Sequence, residues 1–184
     1  MLQVQDLNSR DIPLSTLERA MRRRNAIGLA VLATLGLTLN DAGRQLVDAA
    51  KKEANTEDAS RRGRKVVRVA QKYKGAKYKW GGASPKGFDC SGFTWYVYKK
   101  AVDMDISRGV EEQWRSGRSV ARGKLQPGDL VFFKNTFERG LSHVRIYIRR
   151  DKFIHAENEN TGVVISSLES EYYSKHFAGA RRLL

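Results

Sequence analysis

The order of patterns along the chain predicts an α+β fold, with N-terminal helices packed on a small antiparallel β-sheet. Two stretches, around residues 65–75 and 90–101, space their apolar residues as helices do. After residue 129 come short runs rich in Val, Ile, Phe and Tyr, separated by turn residues. The strands follow the helices as a block and do not alternate with them, which argues against βαβ units.

The first 60 residues form a segment of their own. Arg22, Arg23 and Arg24 precede an uncharged run from Ala26 to Leu39, shorter than the ~20 residues of a membrane helix. A basic stretch before an apolar run of that length reads as an export signal or uncleaved anchor over 22–39. The alternative is a buried helix, since no clean small-x-small cleavage site follows; Met21 also stands where a second start would fall. Residues 51–64 are polar and without aromatics, and read as a linker or a solvated helix end. The expected division is therefore an N-terminal segment, 1–60, and a catalytic-size domain, 61–184.

Within the second part, Val66, Val67, Ala70 and Tyr73 predict a helix ending near Gly75. Asp89 is a favoured N-cap whose carboxylate can accept from the amide of Ser91 or Gly92, so the next helix starts at Cys90. Phe88 and Phe93 have the spacing of a hydrophobic staple across that start. Strands are predicted over 129–134, 143–150, 152–156, 162–166 and 177–184.

Charge bounds the partners. The first 60 residues are balanced, so the net charge of +14 lies wholly in residues 61–184. Such a field favours polyanions, among them anionic cell-envelope polymers, or is only a solvated basic surface. A noncatalytic basic module for wall polymer or nucleic acid is one reading, with charge as its only support. No phosphate-cradling glycine loop or Cys/His zinc spacing occurs, so neither a cofactor nor a metal is expected.

Cys90 is the only cysteine, which excludes an internal disulfide. A lone cysteine on an apolar helix face is commonly a small core residue. Placed at a helix N-terminus, however, a thiolate is favoured by the helix dipole, and the free amide of Cys90 could meet an oxyanion. Of the three histidines, His143 starts one predicted strand and His155 lies on the next. Alternation puts both rings on one face only if their hairpin has a three-residue loop or contains a bulge. Cys90, His143 and His155 would then be nucleophile, base and orienting group for acyl transfer. His176 has no such context and reads as surface or packing.

YKWGGASPKGFDCSGFTWYVYKKA, ISRGVEEQ, LQPGDLVFF, LSHVRIYI, KFIHA and FAGARRLL, in that order over about residues 65–184, resemble the successive motifs of the NlpC-type peptidoglycan endopeptidases, which are papain-like cysteine peptidases. The resemblance implies a secreted, periplasmic or envelope hydrolase that cuts the D-γ-glutamyl–diamino acid amide of wall stem peptides as a monomer, with no specific nucleic acid partner. It assigns nucleophile, base and polar third residue to Cys90, His143 and His155. It also implies that Tyr78 lies beside the thiol, and that Asp89, Ser91 and Arg108 help hold the free amino end of the stem peptide. A related thiol amidase or lipid acyltransferase is the competing enzyme reading.

The chain departs from that pattern at several places. Arg145 stands where the family usually has Gly; it could crowd the base, depress its pKa by like charge, or reach an anionic substrate. Arg150-Asp151 is a poor pair for positive φ and suggests a different hairpin loop. Ile106-Ser107 and Gly109-Val110 also differ from the family's usual residues, which bears on substrate preference.

Overall fold

The computed structural model describes residues 41–184, so the predicted export run at 22–39 lies outside the described residues. Two compact units divide at Glu53 and Ala54. The described part of the first is helical; the second carries the sheet.

Helix α1 spans Asp41–Gln71 and continues without a break through the polar stretch 51–64. No helix among the described residues is long and apolar enough to cross a membrane. A short hairpin follows, β1 (Ala83–Ser84) and β2 (Gly87–Phe88), and then α2 (Cys90–Val102). Helix α3 (Val110–Arg115) and strand β3 (Arg118–Val120) lead into β4 (Leu130–Lys134), β5 (Leu141–Arg149), β6 (Lys152–Ala156) and β7 (Val163–Ser167). Helix α4 (Glu171–His176) and strand β8 (Phe177–Arg182) close the chain.

The strands β3 to β8 form one six-stranded sheet in the order β3-β8-β4-β5-β6-β7, with every described pairing antiparallel. Alternation gives the sheet two faces. On one, Leu130, Phe132, Val144, Ile146, Ile154 and Ala156 pack with Val66, Val67 and Ala70 of α1 and with Phe93, Val97 and Ala101 of α2. On the other, Val131, Phe133, Tyr147 and Phe153 form a second core with Leu168 and Ala180.

The expected cap is present: Asp89 Oδ1 accepts from the Gly92 amide at 2.6 Å. The staple is present too, with the Phe88 and Phe93 rings 5.3 Å apart. Gly92 packs so closely on the backbone of Gly82 that any side chain there would collide with the Gly82 carbonyl. The start of α2 is thus fixed from both sides.

The β5–β6 hairpin corrects one expectation. Its loop is the two-residue Arg150-Asp151 pair, and both residues adopt positive φ, at 48° and 55°. Arg does not favour that region, whereas Asp tolerates it, and Asp151 is tied down at both backbone groups. Its amide donates to the Tyr147 hydroxyl at 3.2 Å, and its carbonyl accepts from the Leu168 amide at 2.7 Å. Alongside, the register shifts between Tyr147 and Arg149, leaving Ile148 as a bulge.

Asp129 anchors the turn before β4. Its carboxylate accepts from Arg182 Nε and an Arg182 terminal nitrogen, both at 2.7 Å, and from the Gln126 amide at 2.8 Å. It is 2% exposed, so removing it strands a partly buried guanidinium. Asp129→Ala should destabilise the protein by about 3–5 kcal/mol, read as a lower urea midpoint with unchanged slope.

Candidate active site

Cys90 is the first residue of α2 and belongs to the core beneath that helix. Its sulfur meets the backbone of Val144, the residue that follows His143 on β5. The helix start and the strand therefore converge at the thiol. Tyr78 is half-buried and bridges to Phe88 through its backbone. Burial, with the neighbouring Cys90 and Asp89, pushes its hydroxyl up to about 12. It remains a donor at neutral pH.

The bulge decides where the histidines lie. Tyr147 pairs with Phe153 and Ile146 with Ile154, a register that sets Arg145 opposite His155. His143, Arg145 and His155 consequently share the sheet face that carries Phe133 and Phe153. The expectation of a bulge or longer loop is met by the bulge.

The hydrogen bonds assign the ring protons. His143 Nε2 lies 3.1 Å from the Ala156 carbonyl, which can only accept, so Nε2 carries the hydrogen and Nδ1 is the bare nitrogen of the neutral ring. Arg145 Nε donates to His155 Nδ1 at 3.0 Å, which leaves the hydrogen of that ring on Nε2. Nε2 in turn lies 3.1 Å from Ser166 Oγ. His155 Nδ1 is 3.5 Å from His143 Nε2, a longer second contact for that N–H. The Ala156 carbonyl is therefore the nearer partner of His143 Nε2, and the His155 ring the more distant one.

Electrostatics run against the simple dipole expectation. Burial pushes the Cys90 thiol up to about 11, although the Val144 and Ser91 backbones and the Arg145 charge pull the other way. Burial and then Arg145 push His143 down to about 3, against the pull of the Ala156 carbonyl. His155 is likewise held well below its usual value by burial, Arg145 and His143. The resting groups are a neutral thiol and a neutral imidazole. His155 Nε2 lies 3.8 Å from Glu157, but an uncharged ring makes no ion pair there.

Asp89 spends Oδ1 on the cap, with the Ser91 hydroxyl 3.5 Å away. Ser91 is buried, and its carbonyl accepts from Thr94 and Gln113. Arg108 is exposed, donates to the Gly81 carbonyl at 3.0 Å and lies over the Trp95 ring. His176 packs on Tyr172 and meets the Lys134 carbonyl, in keeping with a packing role.

Several neighbours escaped sequence reasoning. Phe137 puts its ring 5.8 Å from that of His143 and 6.1 Å from Trp80, and both aromatics are exposed, at 52% and 71%. Trp80 lies two residues from Tyr78 in the YKWGG motif, a signal that was available; Phe137 lies in an irregular loop with none. Arg145 does not reach outward to substrate: at 2% exposure it is a buried part of the histidine cluster.

The sequence profile of the NlpC/P60 family matches residues 75–182. The chain is 42% identical over 118 residues to the gamma-DL-glutamyl hydrolase of Bacillus subtilis, a match over 64% of this chain and 28% of that protein. It is 39% identical over 113 residues to the murein DD-endopeptidase MepH of Escherichia coli, over 60% of this chain and 42% of that one. The chain thus spans less than half of either relative. Among solved structures, an NlpC/P60 family protein from Bacillus cereus superposes with a TM-score of 0.62 at 36% identity, covering 66% of this chain and 40% of that one. The NlpC/p60 domain of the peptidoglycan hydrolase SagA gives 0.58 at 34% identity, covering 65% and 97%. The fold is the papain-like α+β arrangement of these structures.

A thiol near 11 has roughly one part in 10⁴ as thiolate at pH 7. Alkylation of Cys90 by iodoacetamide, followed by mass spectrometry, should therefore rise about tenfold per pH unit from 7 to 10. A plateau below pH 8 would contradict the neutral resting thiol.

Proposed function

The chain belongs to the NlpC/P60 family, and on that premise we propose that it is a cysteine peptidase hydrolysing stem peptides of bacterial peptidoglycan at the D-γ-glutamyl–diamino acid amide. The observation that carries this is the approach of the capped Cys90 thiol to the strand at Val144, directly after the histidine whose Nδ1 is unprotonated. In the proposed reaction His143 Nδ1 takes the thiol proton as Cys90 Sγ attacks the amide carbon, a transfer that requires the imidazole to reach the thiol from the sheet's second face. Because both groups rest neutral, transfer is coupled to attack and does not precede it. The amide of Cys90, in the first turn of α2, and the protonated Tyr78 hydroxyl stabilise the oxyanion. The C–N bond then breaks, His143 returns the proton to the leaving amine, and water activated by the same nitrogen hydrolyses the thioester.

Asp89, Ser91 and Arg108 are the proposed holders of the stem peptide's free amino end, with Asp89 supplying the negative charge. This separates the peptidase reading from an amidase or acyltransferase, which needs no such pocket. Action at the cell envelope follows from the substrate, and residues 22–39 are the proposed export or anchor segment. A groove of about 780 Å³ between α1 and the C-terminal end of α2 is lined by Arg61, Arg62, Lys65, Arg68, Lys99 and Lys100, with Asp58 and Asp103 paired to Arg61 and Lys99. It offers anionic envelope polymers a hold far from Cys90 along α2.

The test uses a defined stem tetrapeptide with mass detection. The protein should release the two halves at the γ-glutamyl amide, and N-acetylation of the peptide should lower kcat/KM. Cys90→Ala should lose at least ~10³-fold in rate with an unchanged circular dichroism spectrum. Undiminished cleavage by that variant would overturn the mechanism.

A further inference from the structure

The buried guanidinium of Arg145 is the feature the peptidase mechanism leaves unused. It is 2% exposed and enclosed by three rings, with its carbon 3.9 Å from the centre of Phe133, 4.4 Å from Tyr173 and 4.9 Å from Phe153. Those aromatics make room and partial compensation for a cation in the sheet's second core. One of its terminal nitrogens is buried with no hydrogen-bond partner among the described residues. The Glu157 carboxylate nearby is engaged by the Tyr173 hydroxyl. Arg145 therefore has one directed polar bond in this cluster, from Nε to His155 Nδ1 at 3.0 Å.

That bond uses the lone pair that would otherwise receive the Nε2–H of His143. The geometry records the competition: His155 Nδ1 lies 3.0 Å from Arg145 Nε and 3.5 Å from His143 Nε2. The Ala156 carbonyl, at 3.1 Å, has become the nearer acceptor for the base.

Resting on the peptidase reading, we propose that Arg145 is a positioning residue: it locks His155 as the neutral Nε2–H tautomer and, by its charge, keeps His143 available as a base in acid. His155 cannot accept a proton at Nδ1 without breaking the bond to Arg145 and placing two cations side by side. The same charge opposes protonation of His143, two residues away on the same face. The titratable and charged groups facing the cluster are Cys90 from α2, Glu157 after β6, and Tyr172 and Tyr173 from α4. Glu157 is the one carboxyl group among them, and it lies on the Nε2 side of His155, away from the bond. Peptidase activity should accordingly extend well below the ordinary histidine range.

Two measurements test this, and the first needs no activity. In ¹⁵N-labelled wild-type protein, long-range ¹H–¹⁵N spectra should show His155 as the Nε2–H tautomer, with neither His143 nor His155 titrating between pH 8 and 5. A His155 ring with hydrogen on Nδ1, or titration of either ring near 6.5, overturns the proposal. In the second, kcat/KM on the stem tetrapeptide is followed against pH. The acid limb of wild type should fall below pH 5; in Arg145→Gln it should rise by at least one pH unit, while Arg145→Lys, which keeps the charge, stays within half a unit of wild type. A uniform loss of rate with an unmoved limb would make Arg145 structural only and overturn the proposal. If no variant folds, the wild-type titration decides alone. If folded wild type cleaves no stem peptide, the peptidase reading fails while the spectra still judge the bond from Arg145 to His155.

Discussion

The geometry of the candidate site depends on one unmatched residue in a hairpin. A regular two-residue loop continued from the Arg149–Lys152 pair would set His155 opposite Ile146, on the face packed by the helices. The bulge at Ile148 restores the other register, and His155 comes opposite Arg145 on the face shared with His143. The cluster of His143, Arg145 and His155 follows from that shift. The same shift leaves Ile146 and Ile154 for the core beneath α2, so one displacement serves both faces. Its cost is a loop with two residues in the left-handed region, offset by the bonds that Tyr147 and Leu168 make to Asp151.

Burial then decides the chemistry. A helix N-terminus favours a thiolate, but that stabilisation, of about 1 kcal/mol, falls off quickly and is small against loss of solvent around the sulfur. The two partners are moved in opposite directions, the thiol up to about 11 and the imidazole of His143 down to about 3. A preformed ion pair is disfavoured in the resting protein, and charge is best tolerated when a substrate carbonyl is there to receive it. The proposed donors for that charge are the first-turn amide of α2 and the Tyr78 hydroxyl.

Much of this was legible from the sequence because it is local. Asp89, Phe88 and Phe93 announce the capped helix start by spacing alone, and the alternation in residues 143–156 announces a hairpin whose two histidines need a three-residue loop or a bulge to meet. The turn conformation is not legible locally, since the bonds holding Asp151 come from Tyr147 across the hairpin and from Leu168 beyond the next strand. Helices α3 and α4, of six residues each, and the three-residue β3 are too short to leave a periodic signal. Ser166, Phe133 and Tyr173 gather around His155 and Arg145 from three elements, a convergence only the folded sheet creates. Arg145 itself was conspicuous as a departure from the family's pattern, but its direction depended on which face the bulge presents.

The central claim is that Cys90 carries the acyl group during turnover. Acid-quenching the protein in the steady state with a stem tetrapeptide, then mapping intact and digested masses, tests it directly. The account predicts an added mass equal to the acyl half of the substrate, confined to the peptide containing Cys90 and removed by hydroxylamine. Continuing turnover with no adduct, or with the adduct on another residue, would contradict it.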